Sequence, residues 1–217
     1  MASFQGFSWE MFDFLMELRD NNTLMAQSEN IVRYKKLITK PLADLYETLL
    51  PTVLSIYNTI ETAPRRCISS PYTDRRFSPL VPLKEYMYLR FKAGGKEKDV
   101  AGFYFDMGRE YYSYGIRIYQ QTAAGMAILR EKWLKNTEKY LPLAESIAQN
   151  GFTVFGDSFI KDCAPYLKDS VLKRLINKKN FYIGKELPID EAVFSPKLAE
   201  LLISEYVSLS EFFISLL

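Results

Sequence analysis

Histidine is absent from this chain of 217 residues. Without an imidazole, the sequence offers no Ser-His-Asp or Cys-His nucleophilic site, no histidine-bound zinc and no histidine proton shuttle. Cysteine is scarce as well, because Cys67 and Cys163 stand far apart and form no C-x-x-C pair. Neither a disulfide framework nor a thiolate metal site is therefore expected. Any catalysis would rest on carboxylate, lysine, tyrosine or arginine side chains.

Long apolar runs and phosphate-binding motifs are also missing. No run of about 18 uncharged apolar residues occurs, and Glu10 and Asp13 interrupt the apolar residues near the N-terminus. We expect neither a membrane span nor a signal peptide. The glycines at 94–95 and 151–156 lack the spacing of a P-loop or of a Gly-x-Gly-x-x-Gly turn. These absences predict a cytoplasmic protein with no cofactor, no metal and no membrane partner.

The charge balance argues against nucleic acid as a partner. The net charge is +2 and the isoelectric point is about 8.3, whereas a nucleic-acid-binding domain usually exceeds about 9. Residues 161–185 are locally basic and the remaining tail is acidic. We interpret this contrast as a solvated basic surface packed near an acidic helix.

What the sequence has in quantity is aromatic residues, at 15% of the chain, which suit pleated, half-buried surfaces. Residues 83–93 alternate in character, with Met87 and Leu89 on one face and Tyr88 and Arg90 on the other. Period two predicts a strand. With further strands at 102–107 and 111–119 and a turn beginning at Gly94-Gly95, the pattern predicts an antiparallel meander. Short strands are also predicted at 152–155 and 181–183.

Helices are predicted on both sides of these strands. Ser8 and Thr122 are suitable N-caps, and Ser195 precedes Pro196 at the start of the clearest amphipathic helix, which runs to the C-terminus. Further helices are expected over 28–60, 143–151 and 165–177, with breaks or bends at Pro41 and Pro51. The prediction is an α+β fold that forms one domain over residues 1–217.

One segment resembles a known family. Residues 72–78 read Tyr-Thr-Asp-Arg-Arg-Phe-Ser and are followed by Pro-Leu-Lys at 82–84. This resembles the Arg-Asp-x-Arg-Phe-Ser and Pro-Tyr-Lys motifs of a bacterial family of unknown function, domain of unknown function 2461. Landmarks at Asn21-Asn22, Gly102-Phe103-Tyr104 and Leu129-Arg130 occur in the same order. The chain departs from the family at Thr73, where Arg is usual, at Leu83, where Tyr is usual, and at 79–81. The family is uncharacterised, so the resemblance implies no activity.

The candidate site is the basic loop at 65–84 together with the strand that follows. Arginine forks match carboxylate or phosphate in bidentate geometry, so such a loop could hold an anionic metabolite. The alternative is structural, with an Asp-x-Arg unit that pins the loop by an ion pair. The tyrosines at 104–119 allow stacking of a base or sugar but are more typical of sheet packing. The predicted ligand-binding residues are Asp74, Arg76, Lys84, Arg90, Tyr104 and Arg130.

Three functions stay open at this stage. The first is a domain that binds a small anionic ligand or a protein partner through Arg76 and Lys84. The second is a histidine-independent enzyme with Asp74 or a tyrosine as the acid or base and the arginines stabilising negative charge. The third is an oligomer-forming module that uses the C-terminal helix. The sequence determines neither the catalytic residues nor the oligomeric state.

Overall fold

The computed structural model describes residues 3–94 and 98–217. Its elements are α-helices on both sides of a sheet, as the sequence predicts. The helices are α1 Trp9–Asp20, α2 Gln27–Tyr34, α3 Lys40–Ile56, α4 Pro64–Cys67, α5 Ala123–Lys135, α6 Thr137–Gln149, α7 Val171–Ile176, α8 Lys197–Ser208 and α9 Ser210–Leu216. The strands are β1 Met87–Lys92, β2 Val100–Met107, β3 Tyr111–Tyr119, β4 Thr153–Phe155 and β5 Tyr182–Pro188.

The five strands form one sheet in the order β1-β2-β3-β5-β4, and every neighbouring pair is antiparallel. The α+β class and the β1-β2-β3 meander are therefore confirmed. The strand after the meander in the chain, β4, lies at the edge, and β5 lies between it and β3. The turn predicted at Gly94-Gly95 falls partly outside the described residues.

The first strand is shorter than the alternation predicts. It begins at Met87 rather than at residue 83, because Leu83 is held elsewhere. The backbone N–H of Leu83 donates to Asn22 Oδ1 at 3.1 Å, and Asn22 Nδ2 donates to the Leu83 carbonyl at 2.8 Å. The side-chain amide of Asn22 thus makes both of the hydrogen bonds to Leu83 that a neighbouring strand would otherwise make.

The two prolines of the helical region act differently from each other. Pro41 lies in the first turn of α3, directly after a π-helical turn at Lys35–Thr39 that joins α2 to α3. Pro51 is inside α3 and does not end it, although a proline removes one helical hydrogen bond. Leu49 and Val53 on either side of it are fully buried, and this packing holds the helix together.

Two other helices differ from their predicted bounds. The helix predicted at 165–177 is reduced to α7, because the Ser170 hydroxyl accepts the backbone N–H of Lys173 and caps the helix at that point. The helix predicted at 143–151 begins earlier, at Thr137.

The C-terminal helix is divided in two at Leu209. The Ser195 hydroxyl does not cap it, since that hydroxyl donates to the Ala192 carbonyl at 3.3 Å. The residues with three- and four-residue spacing are nonetheless buried within the chain, among them Leu202 and Phe213.

One face of the sheet is apolar and is covered by α3, α8 and α9. Aromatic rings make several of these contacts. Phe91 stacks on Tyr46 of α3 with ring centroids 5.6 Å apart, and Phe103 stacks on Phe213 of α9 with ring centroids 4.4 Å apart. The hydroxyl of Tyr206 in α8 donates to the Tyr104 carbonyl at 2.9 Å. The C-terminal helices are thus part of the core.

The opposite face carries polar and aromatic side chains from the strands themselves. The strand register brings these side chains together although they come from four strands. We call this surface the polar face, and it carries Tyr88, Arg90, Lys92, Tyr104, Asp106, Ser113, Arg117, Tyr119, Tyr182 and Glu186.

None of the helices in residues 3–94 and 98–217 is both long and apolar enough to cross a bilayer.

Candidate functional site

Two of the five cations in the basic loop are held in ion pairs. Arg76 Nη2 lies 2.6 Å from Asp74 Oδ2, its Nε lies 3.0 Å from Oδ1, and its backbone N–H also donates to that carboxylate. These hydrogen bonds lower the pKa of the Asp74 carboxyl, which makes Asp74 a poor proton donor. Arg66 forms a single ion-pair contact with Glu61, at 2.7 Å. The geometry matches the structural alternative for the Asp-x-Arg unit.

Lys84 connects this loop to the sheet. Its ammonium donates to the Ser70 carbonyl at 2.9 Å and lies 5.1 Å from the centroid of the Tyr88 ring on the polar face. A cavity of about 550 Å³ lies at this loop. The cavity is lined by Ser70, Tyr72, Thr73, Asp74, Phe77, Ser78, Lys84 and Tyr86.

Tyrosine rings lie flat on the polar face because glycines beneath them leave room. A Cβ atom on Gly184 would stand 2.2 Å from the Tyr104 Oη, and one on Gly102 would stand 2.9 Å from the Tyr119 ring. Tyr104 is fully buried, and its hydroxyl shares a hydrogen bond of 2.9 Å with Ser113. Burial raises the pKa of Tyr104 to about 12, so this phenol stays protonated at neutral pH.

Two guanidinium groups stack on tyrosine rings of the polar face. Arg90 stacks over Tyr88 with its Cζ 3.8 Å from the ring centroid, and the Tyr119 ring is 5.6 Å away. Arg117 lies 4.4 Å from the centroid of Tyr104 and 5.1 Å from that of Tyr182. The rings fix the plane and position of both cations.

The two arginines differ in their partners. Arg117 forms an ion pair with Asp106 at 3.2 Å. The Nε of Arg90 is buried and donates to no acceptor within residues 3–94 and 98–217, and the buried hydroxyl of Tyr119 also lacks a partner there. Buried polar groups are normally hydrogen-bonded, so the surroundings of Arg90 are incomplete.

Asp106 lies near both cations but keeps a raised pKa. Burial raises the pKa of its carboxyl, and this effect exceeds the opposing attraction of Arg117 and Arg90.

Arg117 and Asp106 were not among the residues predicted from the sequence. The signal that could have identified them is the period of two in β2 and β3, which places Asp106 and Tyr104, and Arg117 and Ser113, on one side of each strand.

Arg130 does not join the other predicted residues. It lies on α5, where its Nε and Nη2 donate to the carbonyls of Ile176 and Lys178 at 2.8 and 2.9 Å. Ile176 is the last residue of α7 and Lys178 lies two residues beyond it, so the contacts of Arg130 tie α5 to the end of that helix. The structure therefore brings together Lys84, Arg90 and Tyr104, places Asp74 and Arg76 on the adjoining loop, and separates Arg130 from them.

A family of conserved hypothetical proteins, DUF2461, matches residues 10–214 of the chain. The chain belongs to this family. The matched range contains the basic loop and all five strands, so the DUF2461 assignment covers the whole polar face. A search of curated proteins finds no match.

A second basic region of this DUF2461 protein is less suited to a ligand. A cavity of about 350 Å³ between β4 and α7 is lined in part by Lys173, Arg174 and Lys178. Lys173 forms an ion pair with Asp162 at 3.0 Å, and Lys178 donates to the Gly156 carbonyl at 2.6 Å. None of these three cations has a buried nitrogen without a partner in the described part of the chain, whereas Arg90 does, so the polar face is the stronger candidate. Among the described residues, no three cysteine or carboxylate side chains are placed to hold a metal ion.

Proposed function

We propose that this protein binds a small anionic ligand, a carboxylate or a phosphate, on the polar face, with Arg90 as the main contact. The unpartnered, buried Nε of Arg90 carries this proposal. Leaving a buried donor without an acceptor costs about 1–3 kcal/mol, and more when the group is charged. Arg90 as a residue is half-buried, so an anion at its guanidinium group would offset part of that cost.

The surroundings of Arg90 support an anion rather than a neutral ligand. Its planar fork is held in place by the Tyr88 ring, so a carboxylate or phosphate can be met in bidentate geometry with little ordering of the side chain. Two ammonium groups add positive charge, since Lys84 lies 5.1 Å from the Tyr88 ring and Lys92 lies 4.7 Å from the Tyr119 ring.

The basic loop, where the sequence predicts a contact at Arg76, is the alternative location for the anion. Arg76 is exposed and bound to Asp74, so an anion at Arg76 would have to displace a carboxylate that is already in bidentate geometry. Arg90 has no such competitor among the described residues within ion-pair distance. We therefore assign the main contact to the strand and a supporting one to Lys84.

The test is a thermal-melt screen against inorganic phosphate, sulfate and a set of organic mono- and diacids. A ligand at about a hundred times its dissociation constant adds roughly 2.7 kcal/mol, which corresponds to about 5–11 °C at this chain length. We expect such a shift in the natural protein and its loss in Arg90→Gln. Arg90→Lys, which keeps the charge but not the fork, should retain a smaller shift.

Arg76→Gln is the matched control, because it removes the same cation from an exposed loop position. It should keep the full shift. Loss of the shift in Arg76→Gln but not in Arg90→Gln would place the ligand on the loop and contradict the assignment to Arg90. If no anion stabilises the natural protein, anion binding itself is wrong.

A second candidate, a histidine-independent enzyme, is supported by Asp106. Its carboxyl has a raised pKa and lies beside Arg117 in a cavity, as a general acid or base would. Asp74, the acid or base considered from the sequence, has a lowered pKa on an exposed loop instead. If Asp106 is catalytic, Asp106→Asn should abolish turnover of a bound ligand while leaving its binding detectable. A ligand that stays chemically unchanged with the natural protein would rule this candidate out.

A further inference from the structure

The polar face contains a cavity at Asp106, which lies on the strand next to that of Arg90. This cavity of about 230 Å³ lies towards the β5 side of the face. It shares Tyr86 with the larger cavity at the basic loop. Its lining includes Tyr86, Tyr111, Tyr182, Asp106, Arg117 and Glu186.

The charge of this pocket is unsuited to an anion by itself. Asp106 and Glu186 contribute two carboxylates, whereas Arg117 contributes one cation that is already paired with Asp106. A phosphate or carboxylate placed here would meet net negative charge. The group that this pocket accepts is therefore neutral, while the anionic group lies at Arg90.

The side chains suit a ring that carries hydroxyl groups. Tyr86 and Tyr111 are 52% and 53% exposed, and exposed aromatic rings can cover the C–H face of a sugar. Carboxylates accept hydrogen bonds, a guanidinium donates them, and the Ser113 hydroxyl does both. Sugar hydroxyls both donate and accept, so this mixed lining can satisfy several adjacent hydroxyls at once.

The spacing of the two positions fits one small molecule. Arg90 is opposite Tyr104 in the sheet, and Asp106 is two residues further along the same strand, which corresponds to about 7 Å. A monosaccharide that carries a phosphate or a carboxylate at one end spans a distance of this order. Tyr182 continues the aromatic surface, since its ring stacks on Phe155 with centroids 4.8 Å apart.

We infer that the anionic ligand is a carbohydrate, a sugar phosphate or a sugar acid, with its anionic group at Arg90 and its hydroxylated ring between the exposed tyrosines and the carboxylates of Asp106 and Glu186. This inference rests on the proposed anion site at Arg90.

The experiment compares affinities by calorimetry for inorganic phosphate, free glucose, hexose 6-phosphates (glucose, mannose, fructose and N-acetylglucosamine), glucuronate and adenosine monophosphate. One or two additional hydrogen bonds should make at least one sugar phosphate or sugar acid bind about tenfold more tightly than inorganic phosphate. In Glu186→Gln, the ratio of the sugar ligand's affinity to that of phosphate should fall towards one. Glu211→Gln, the same change at an exposed position of α9, should leave the ratio as in the natural protein.

The possible outcomes distinguish a failure of the carbohydrate inference from a failure of the proposed anion site at Arg90. Phosphate and all sugar ligands binding equally, each lost in Arg90→Gln, would overturn the carbohydrate inference and leave the anion site standing. Adenosine monophosphate binding more tightly than every sugar ligand would also overturn it, in favour of a nucleotide. No Arg90-dependent binding of any probe would remove both.

Discussion

Gly184→Ala is the change that tests the geometry of the polar face most directly. A Cβ at this position would lie 2.2 Å from the Tyr104 Oη, well inside contact distance, and 3.2 Å from the Tyr114 carbonyl oxygen. The phenol must then move, which breaks its hydrogen bond with Ser113 and disturbs Arg117 above it. Overpacking costs about 1–3 kcal/mol, and the lost hydrogen bond adds about 1 kcal/mol.

We therefore expect Gly184→Ala to lower the free energy of unfolding by roughly 2–4 kcal/mol, and the melting temperature by about 4–16 °C. The assay is urea unfolding followed by circular dichroism, with thermal melts in parallel. Gly108→Ala is the control, because a Cβ at Gly108 would meet no atom within 4 Å. It should change stability by less than about 0.5 kcal/mol.

A double-mutant cycle identifies the clash. Tyr104→Phe removes the Oη, after which the nearest atoms to the new Cβ are the Tyr114 carbonyl at 3.2 Å and the Cζ of the ring at 3.4 Å. In that background, Gly184→Ala should cost less than about 1 kcal/mol, so the two changes should be coupled by at least about 1 kcal/mol. Costs that simply add, or a neutral Gly184→Ala, would mean that Tyr104 does not lie over Gly184.

Two further predictions concern the loops. Asn22→Ala leaves the buried N–H and carbonyl of Leu83 without partners. It should lower the free energy of unfolding by roughly 1–3 kcal/mol for each group. Unfolding in urea measures this loss, and a variant as stable as the natural protein would contradict the prediction. Hydrogen bonds from Ala164, Lys173 and Asn177 lower the pKa of Asp162 to about 2, against about 3.9 in an unfolded chain. The stabilisation from Asp162 is thus complete above about pH 4 and is lost as the pH falls towards 2. The melting-temperature difference between the natural protein and Asp162→Asn should shrink over that range, and a pH-independent difference would refute it.

The meander and its two faces could be predicted from the sequence because alternation is a local signal. Period two in residues 83–93 was sufficient to place Tyr88 and Arg90 on the face opposite Met87 and Leu89, and the structure confirms that placement. The bounds were less accurate, since the partner that ends β1, Asn22, is about sixty residues away in the chain.

The pairing of β3 with β5 could not be predicted in the same way. Nothing in the short run at 181–183 indicates that it continues to Pro188 or lies between β3 and β4. Pairing between distant segments is set by tertiary packing, and the local pattern of a short strand does not specify its neighbour. Tyr182 and Glu186 reach the candidate site through this pairing alone, so no local pattern indicated that they belong to it.

The arginines of the loop and of the strand differ in whether a carboxylate partner lies close to them in the chain. In residues 65–84 the density of cations suggests a binding site, but a cation two to five residues from a carboxylate can pair with it at little entropic cost. Arg76 pairs with Asp74 and Arg66 with Glu61 in this way. On a strand, side chains one residue apart point to opposite faces, so the partner must come from the next strand at the correct register. Arg90 meets Tyr104 there, and its Nε is left without an acceptor among the described residues. An isolated cation on a strand is therefore a stronger indication of a ligand than a dense cluster in a loop, and the comparison of Arg90→Gln with Arg76→Gln tests that reasoning as well as the site.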